Sequence, residues 1–133
     1  MKSDEQVCGG LEEATRGLLF MSESDYPLEV IRWEGKDELT PDDLRRRAGV
    51  DAATPVAEVT LTDFFGTAAG EQDWKSENEL ATARRYQELM RLLTVELEAV
   101  RVYRVGEINI GVYVVGRSSE GNWLGVSTRV VET

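Results

Sequence analysis

Three places in the 133-residue chain bring together atoms that could do chemistry on a partner. Glu23 stands in a polar loop, Ser22-Glu23-Ser24-Asp25, between an apolar run at 18–21 and the pair Tyr26-Pro27. A carboxylate on a loop with both ends held can meet a cation, and the plainer reading is a hydrated turn. Trp74 follows Glu71-Gln72-Asp73, a stretch whose polarity makes a tryptophan unexpected. An aromatic ring with a polar rim is a typical binding anchor, unless it folds back onto the core. Thr133 closes the sequence with a hydroxyl and a carboxylate, the latter ionised at neutral pH because its reference pKa is about 3.5. Both groups are hard oxygen donors of the kind Mg²⁺ or Mn²⁺ accepts. One residue cannot build a metal site, but it can fill an open position on a metal that another molecule already holds.

The residue types that are missing narrow the chemistry further. With no histidine, Ser-His triads, Cys-His pairs and His-ligated zinc or haem are all excluded. The single cysteine, Cys8, excludes an intrachain disulfide and every paired-cysteine metal motif, and it fits a reducing compartment. No phosphate loop or dinucleotide glycine pattern is present. Carboxylate pairs such as Glu12-Glu13 and Asp42-Asp43 read as helix-surface or capping residues. Nothing distinguishes two of the 25 acids as the facing pair that a carboxylate hydrolase needs.

Charge bears on the kind of partner. The net charge is -10, and residues 1–79 hold 19 acids and 8 bases while residues 80–133 hold 6 and 7. Such an excess either solvates the surface or imitates a polyanion. Direct nucleic-acid binding is not expected, because phosphate contacts need a basic footprint. No apolar run reaches bilayer-spanning length, and the acidic start lacks a signal-peptide layout. The expectation is one cytoplasmic domain over 1–133, monomeric when free and without membrane contact.

The elements that would position these groups follow from caps and periodicity. Ser3 and Gln6 form a capping box, followed by Val7, Leu11, Ala14 and Leu18 at helical spacing, with Gly17 placed to end the helix. Gly9 and Gly10 each cost about 1 kcal/mol in a helix interior and predict a frayed or later start. The run 18–21 should be buried. Residues 28–33 carry apolar side chains on both faces, which predicts a strand inside a sheet with helices on its two sides. Thr40-Pro41-Asp42-Asp43 starts a second helix that Gly49 ends, and Arg45, Arg46 and Arg47 on it should point in different directions. Residues 56–59 predict a short strand, and Thr62-Asp63 opens a brief helix around Phe64 and Phe65. Ser76 and Glu79 cap a long helix with Leu80, Ala83, Tyr86 or Gln87, Met90, Leu93 and Leu97 on its apolar stripe, and Arg84 with Glu88 as an exposed pair.

From Arg101 to Thr133 three runs rich in Val, Ile and Tyr, separated by Gly- or Asn-bearing turns, predict a β-meander. In its last strand Leu124, Val126 and Val130 share one face, and Trp123 and Val131 the other. A strand carried almost to the last residue would hold Thr133 at a fixed point. Alternation of helix and strand followed by consecutive strands predicts a mixed, largely antiparallel sheet between helical layers.

The chain also resembles a known family. GLLFMSES (17–24), YP with EV behind it, WEG, FF, QDW, VYR with GE, VYV, GN and the ending ST-VVET match, in order, the bacterial nuclease A inhibitors. These block a sugar-non-specific, divalent-metal-dependent nuclease. The resemblance implies a three-layer α/β/α sandwich and an inhibitor with no catalytic residues and no cofactor of its own. It implies that Glu23 faces arginines of the nuclease site and that Thr133 engages the nuclease's catalytic Mg²⁺ or Mn²⁺. It also implies that Gln72 and Trp74 lie in the same contact zone. An acidic, polyanion-mimicking protein for another basic partner is the competing reading, with an orphan carboxylate hydrolase behind it.

Overall fold

Hydroxyl side chains set the start of every helix among the described residues. The computed structural model describes residues 2–21, 24–35, 37–70 and 76–132. Ser3, Thr40 and Ser76 each accept a hydrogen bond from the backbone N–H three residues on, and the residue there reaches back to complete a capping box. They begin α1 (Asp4–Thr15), α2 (Pro41–Ala48) and α4 (Glu77–Glu96). The remaining helix, α3 (Leu61–Ala69), starts earlier than Thr62-Asp63 suggests. Thr60 is its cap, accepting from the Asp63 N–H at 3.0 Å. Gly49, at φ 71°, ends α2 in the left-handed conformation that glycine adopts without strain.

The expected fraying of α1 does not occur, because tertiary contacts override the helix propensity of Gly9 and Gly10. Asp4 is buried at the first turn. Its N–H donates to Glu120 Oε2 at 2.6 Å, and its Oδ2 accepts from Asn122 Nδ2 at 2.8 Å. Burial pushes its pKa up, but hydrogen bonds with Asn122 and Ser118 and the Arg32 charge outweigh that and hold it below the ordinary range.

Seven strands are present among the described residues: β1 (Leu19–Met21), β2 (Asp25–Pro27), β3 (Glu29–Trp33), β4 (Val56–Val59), β5 (Glu98–Val105), β6 (Asn109–Arg117) and β7 (Trp123–Val131). β1 and β2 form a two-stranded antiparallel pair, and the other five form one sheet in the order β3-β7-β6-β5-β4. The meander β5-β6-β7 is as expected. The mixed sheet is not, since every pairing is antiparallel. The helix between β3 and β4 does connect strands running the same way, but these lie at opposite edges with the meander between them. No parallel neighbours arise.

β3 is therefore an edge strand and not an interior one. Both its faces are apolar for a different reason. Val30 faces the main core, while Trp33 on the other face packs on Tyr113 with ring centroids 5.4 Å apart and lies under the Arg47 guanidinium at 4.4 Å. The three arginines of α2 do separate: Arg45 binds Asp42 at 2.8 Å and the Thr54 carbonyl at 2.7 Å, Arg46 pairs with Asp43, and Arg47 covers Trp33.

One row of valines ties the sheet together. Val30, Val126, Val114, Val102 and Val59 are successive cross-strand partners, one from each strand, and all face the core. β-branched side chains side by side across a pleated sheet pack well on one another. On the face away from them, Gly125 allows β7 to lie close to β6, since a Cβ there would meet the Val114 carbonyl oxygen at 1.7 Å. α1 packs on β3 and β7, α3 and α4 on β5, and α2 on β4 and β5. On α4 the buried residues are Ala83, Tyr86, Leu89 and Leu93, with Leu97 just after it, so the stripe includes Leu89 where Leu80 and Met90 are only half-buried. Glu88 bonds to Arg91, at 2.9 Å and 2.5 Å. No helix among the described residues is long and apolar enough to cross a membrane.

Candidate functional site

Glu23, Gln72, Trp74 and Thr133 all lie outside the described residues, but the segments that lead to them are described. The stem below Glu23 is the β1–β2 pair, in which Met21 stands opposite Asp25 and Phe20 opposite Tyr26. Period-two alternation divides the run that was expected to be wholly buried. Leu18 is buried, Leu19 is 46% exposed, and Phe20 turns inward. Phe20 stacks on Phe64 with centroids 4.6 Å apart and meets Phe65 and Tyr86 edge-on at 6.0 and 6.1 Å. Such contacts between rings stabilise beyond the area they bury.

A hydrogen bond adds to this packing. The Tyr86 hydroxyl of α4 donates to the Leu19 carbonyl, pinning β1 from below. Burial pushes the Tyr86 pKa from 10.0 up to about 12, with the Arg85 charge acting the other way and Asp25 adding to the rise. Both states keep the phenol protonated below pH 10, so its contribution is complete there. As pH rises through about 12 the unfolded chain ionises first and that contribution is lost. Urea midpoints are expected to fall over this window, and Tyr86→Phe should make the fall shallower. Tyr103 and Tyr113, also raised by burial, supply the remainder.

The stem before Thr133 is the end of β7. The Glu132 N–H donates to the Ile108 carbonyl at 2.9 Å, and Glu132 Oε1 lies 2.6 Å from Arg104 Nη2 on β5. The face assignments made for this strand hold: Leu124, Val126 and Val130 are on the core face, and Trp123 and Val131 on the other.

The two stems meet. Phe20 of β1, Val130 of β7 and Glu132 just after that strand line one hollow, completed by Val59, Asp63, Phe64 and Arg104. Its floor is apolar and its rim carries two carboxylates and one guanidinium. The structure thus brings together the supports of Glu23 and Thr133. The supports of Gln72 and Trp74 do not line this hollow. They are Gly70, after the end of α3, where the Ala69 carbonyl accepts from Gln87 Nε2 at 2.8 Å, and Ser76, the cap of α4.

Sequence reasoning missed Arg104 and Glu132 as partners. One signal was available: in the alternation of β5, Arg104 falls on the same face as the fully buried Val102, where a charge needs a partner. Among the described residues no group of three or more acids or cysteines gathers to hold a metal ion.

A family model described as nuclease A inhibitor-like protein matches residues 5–133. The chain belongs to the nuclease A inhibitor-like family. Its members are inhibitors and not enzymes, and membership implies a nuclease as partner. No curated protein matches the chain.

Proposed function

We propose that the protein inhibits a sugar-non-specific, metal-dependent endonuclease by filling its active site. The observation that carries this reading is the family match, which spans residues 5–133. In it Glu23 takes the place of a substrate phosphate opposite arginines of the nuclease. The Thr133 carboxylate and hydroxyl occupy positions on the catalytic Mg²⁺ or Mn²⁺ that water or phosphate needs. The metal belongs to the nuclease, and the inhibitor brings no cofactor. Gln72 and Trp74 extend the contact. One feature of the fold supports this mechanism, the hollow that the stems of Glu23 and Thr133 share, and one feature of the sequence, the concentration of acids in residues 1–79. The family's three-layer sandwich is the architecture we infer for the whole domain, supported by Arg47 of α2 lying over Trp33 on the sheet face that points away from the valine row.

Titration of the protein against a purified sugar-non-specific nuclease, with Mg²⁺ and Mn²⁺ varied, tests the proposal. Stoichiometric loss of nuclease activity is the expected result. Association with basic proteins that weakens with salt, ignores the metal and leaves the nuclease active would favour the acidic-mimic reading instead, which the net charge of -10 suggests.

A further inference from the structure

We propose that the sheet face pointing away from the valine row carries a binding site for a free α-amino acid, built from Arg129, Glu29 and two tyrosines. The site is independent of the inhibitory reading above. On this face Tyr113 and Ser127 are cross-strand partners, as are Gly111 and Arg129, and Ser127 is paired on its other side with Glu29 of β3. Directly paired residues share a face, and the period of two keeps Gly111 with Tyr113 and Arg129 with Ser127. Gly111 contributes no side chain, and a hollow of about 320 Å³ opens there, lined also by Tyr26 of β2. That is the lower end of the range for small-molecule pockets, roughly 300 to 1,000 Å³. Its aromatic walls are held in place. The Tyr113 ring lies along its own strand, 3.4 Å from where a Cβ of Gly111 would stand, and Trp33 packs on it with centroids 5.4 Å apart. Thr128 Oγ1 donates to the Pro27 carbonyl at 3.0 Å and so secures the strand that bears Tyr26.

Arg129 and Glu29 are both exposed, on neighbouring strands and one diagonal step apart, a separation that long side chains can span. They do not pair. Among the described residues the Arg129 guanidinium makes no ion pair and lies over the Tyr26 ring, 5.9 Å from its centroid, while the Glu29 carboxylate meets no cation. Opposite charges that flank one hollow without neutralising each other suit a ligand that carries both signs close together. An α-amino acid does so at neutral pH, with a carboxylate and an ammonium on one carbon. Arg129 takes the carboxylate and Glu29 the ammonium, both as charge-assisted hydrogen bonds. The Ser127 hydroxyl, which has no partner among the described residues, is a further donor for the carboxylate. The rings of Tyr26 and Tyr113 offer apolar surface to the ligand's side chain. A lone anion would meet Glu29 and a lone cation Arg129, so the site discriminates against both.

The test is a titration of the full chain, read from the amide chemical shifts of Ser127 and Arg129, with L-phenylalanine as the probe. N-acetyl-L-phenylalanine keeps only the carboxylate, as the last residue of a peptide does. L-phenylalaninamide keeps only the ammonium, as a first residue does. L-phenylalanine is expected to shift both amides saturably, and each of the other two to bind roughly ten-fold more weakly. Arg129→Gln should erase the advantage of L-phenylalanine over the amide, and Glu29→Gln its advantage over the acetylated compound. Both substitutions are on the surface, so thermal midpoints should barely move. Absence of saturable shifts up to about 10 mM overturns the site, since a Kd of about 1 mM would already fill nine-tenths of it. Equal binding of the acetylated compound or of the amide overturns the two-charge assignment and makes a peptide terminus the ligand. Undiminished binding of L-phenylalanine by both variants overturns the roles of Arg129 and Glu29.

Discussion

Two residues added after Thr133 are expected to reduce inhibition at least about tenfold without altering the fold. The addition converts the Thr133 carboxylate into a neutral peptide carbonyl and carries the terminal negative charge two residues away, so the better of two metal donors is lost at that position. Charge pairs desolvated at such interfaces couple by about 1.5 to 7 kcal/mol, and each 1.4 kcal/mol is roughly a factor of ten. Inhibition constants and thermal midpoints for the parent and extended proteins check this together. Equal inhibition by the two would sink the metal-directed mechanism. Glu23→Ala belongs in the same series, with Glu12→Ala as control. Glu12 is exposed on α1, so a site-directed mechanism leaves its substitution silent, whereas equal effects would point to diffuse attraction between an acidic protein and a basic one.

The other large effect concerns stability. Phe65 is fully buried, with ring centroids 4.8 Å from Phe64, 5.7 Å from Tyr86 and 6.0 Å from Phe20. Phe65→Ala removes the ring at the middle of this cluster and leaves a cavity, at a cost of about 3 to 5 kcal/mol. Urea unfolding measures it, and Val95→Ala on the exposed face of α4 serves as the comparison, since Val95 is 64% exposed. A loss below about 1 kcal/mol would mean the cluster closes over the gap, contrary to the rigid packing of interiors. Because Phe20 rests on Phe65, loosening should spread to the β1–β2 pair. Inhibition by the folded fraction should then weaken, an effect not expected of Val95→Ala.

Local signals proved sufficient wherever the structure is locally determined. Ser3, Thr40 and Ser76 could be read as caps because their hydrogen bonds run to residues three positions on, and the meander because its turns are short. What was not legible depends on contacts between distant segments. The pattern of residues 28–33 is the same whether both faces are covered inside a sheet or at its edge, and only the pairing of β3 with β7 decides. Leu19 looked buried because the run 18–21 is apolar throughout and its strand, three residues long, is too short to announce a period. For the candidate site, Glu23, Trp74 and Thr133 stood out by residue type, Gln72 through resemblance alone. The Arg104–Glu132 pair was out of reach, because the register of β6 between β5 and β7 is what brings these two side chains together.

The position of β7 has a consequence for the order of folding. It is the last strand in the chain, yet it lies second from the sheet edge, between β6 and β3. β3 has no other neighbour in that sheet, so Val30 must wait for Val126, about a hundred residues later, before its place in the row exists. Closing so long a loop is slow, and on a ribosome it cannot begin until the final strand has emerged. The β3 edge of the sheet is therefore completed only together with the strand whose end leads to Thr133.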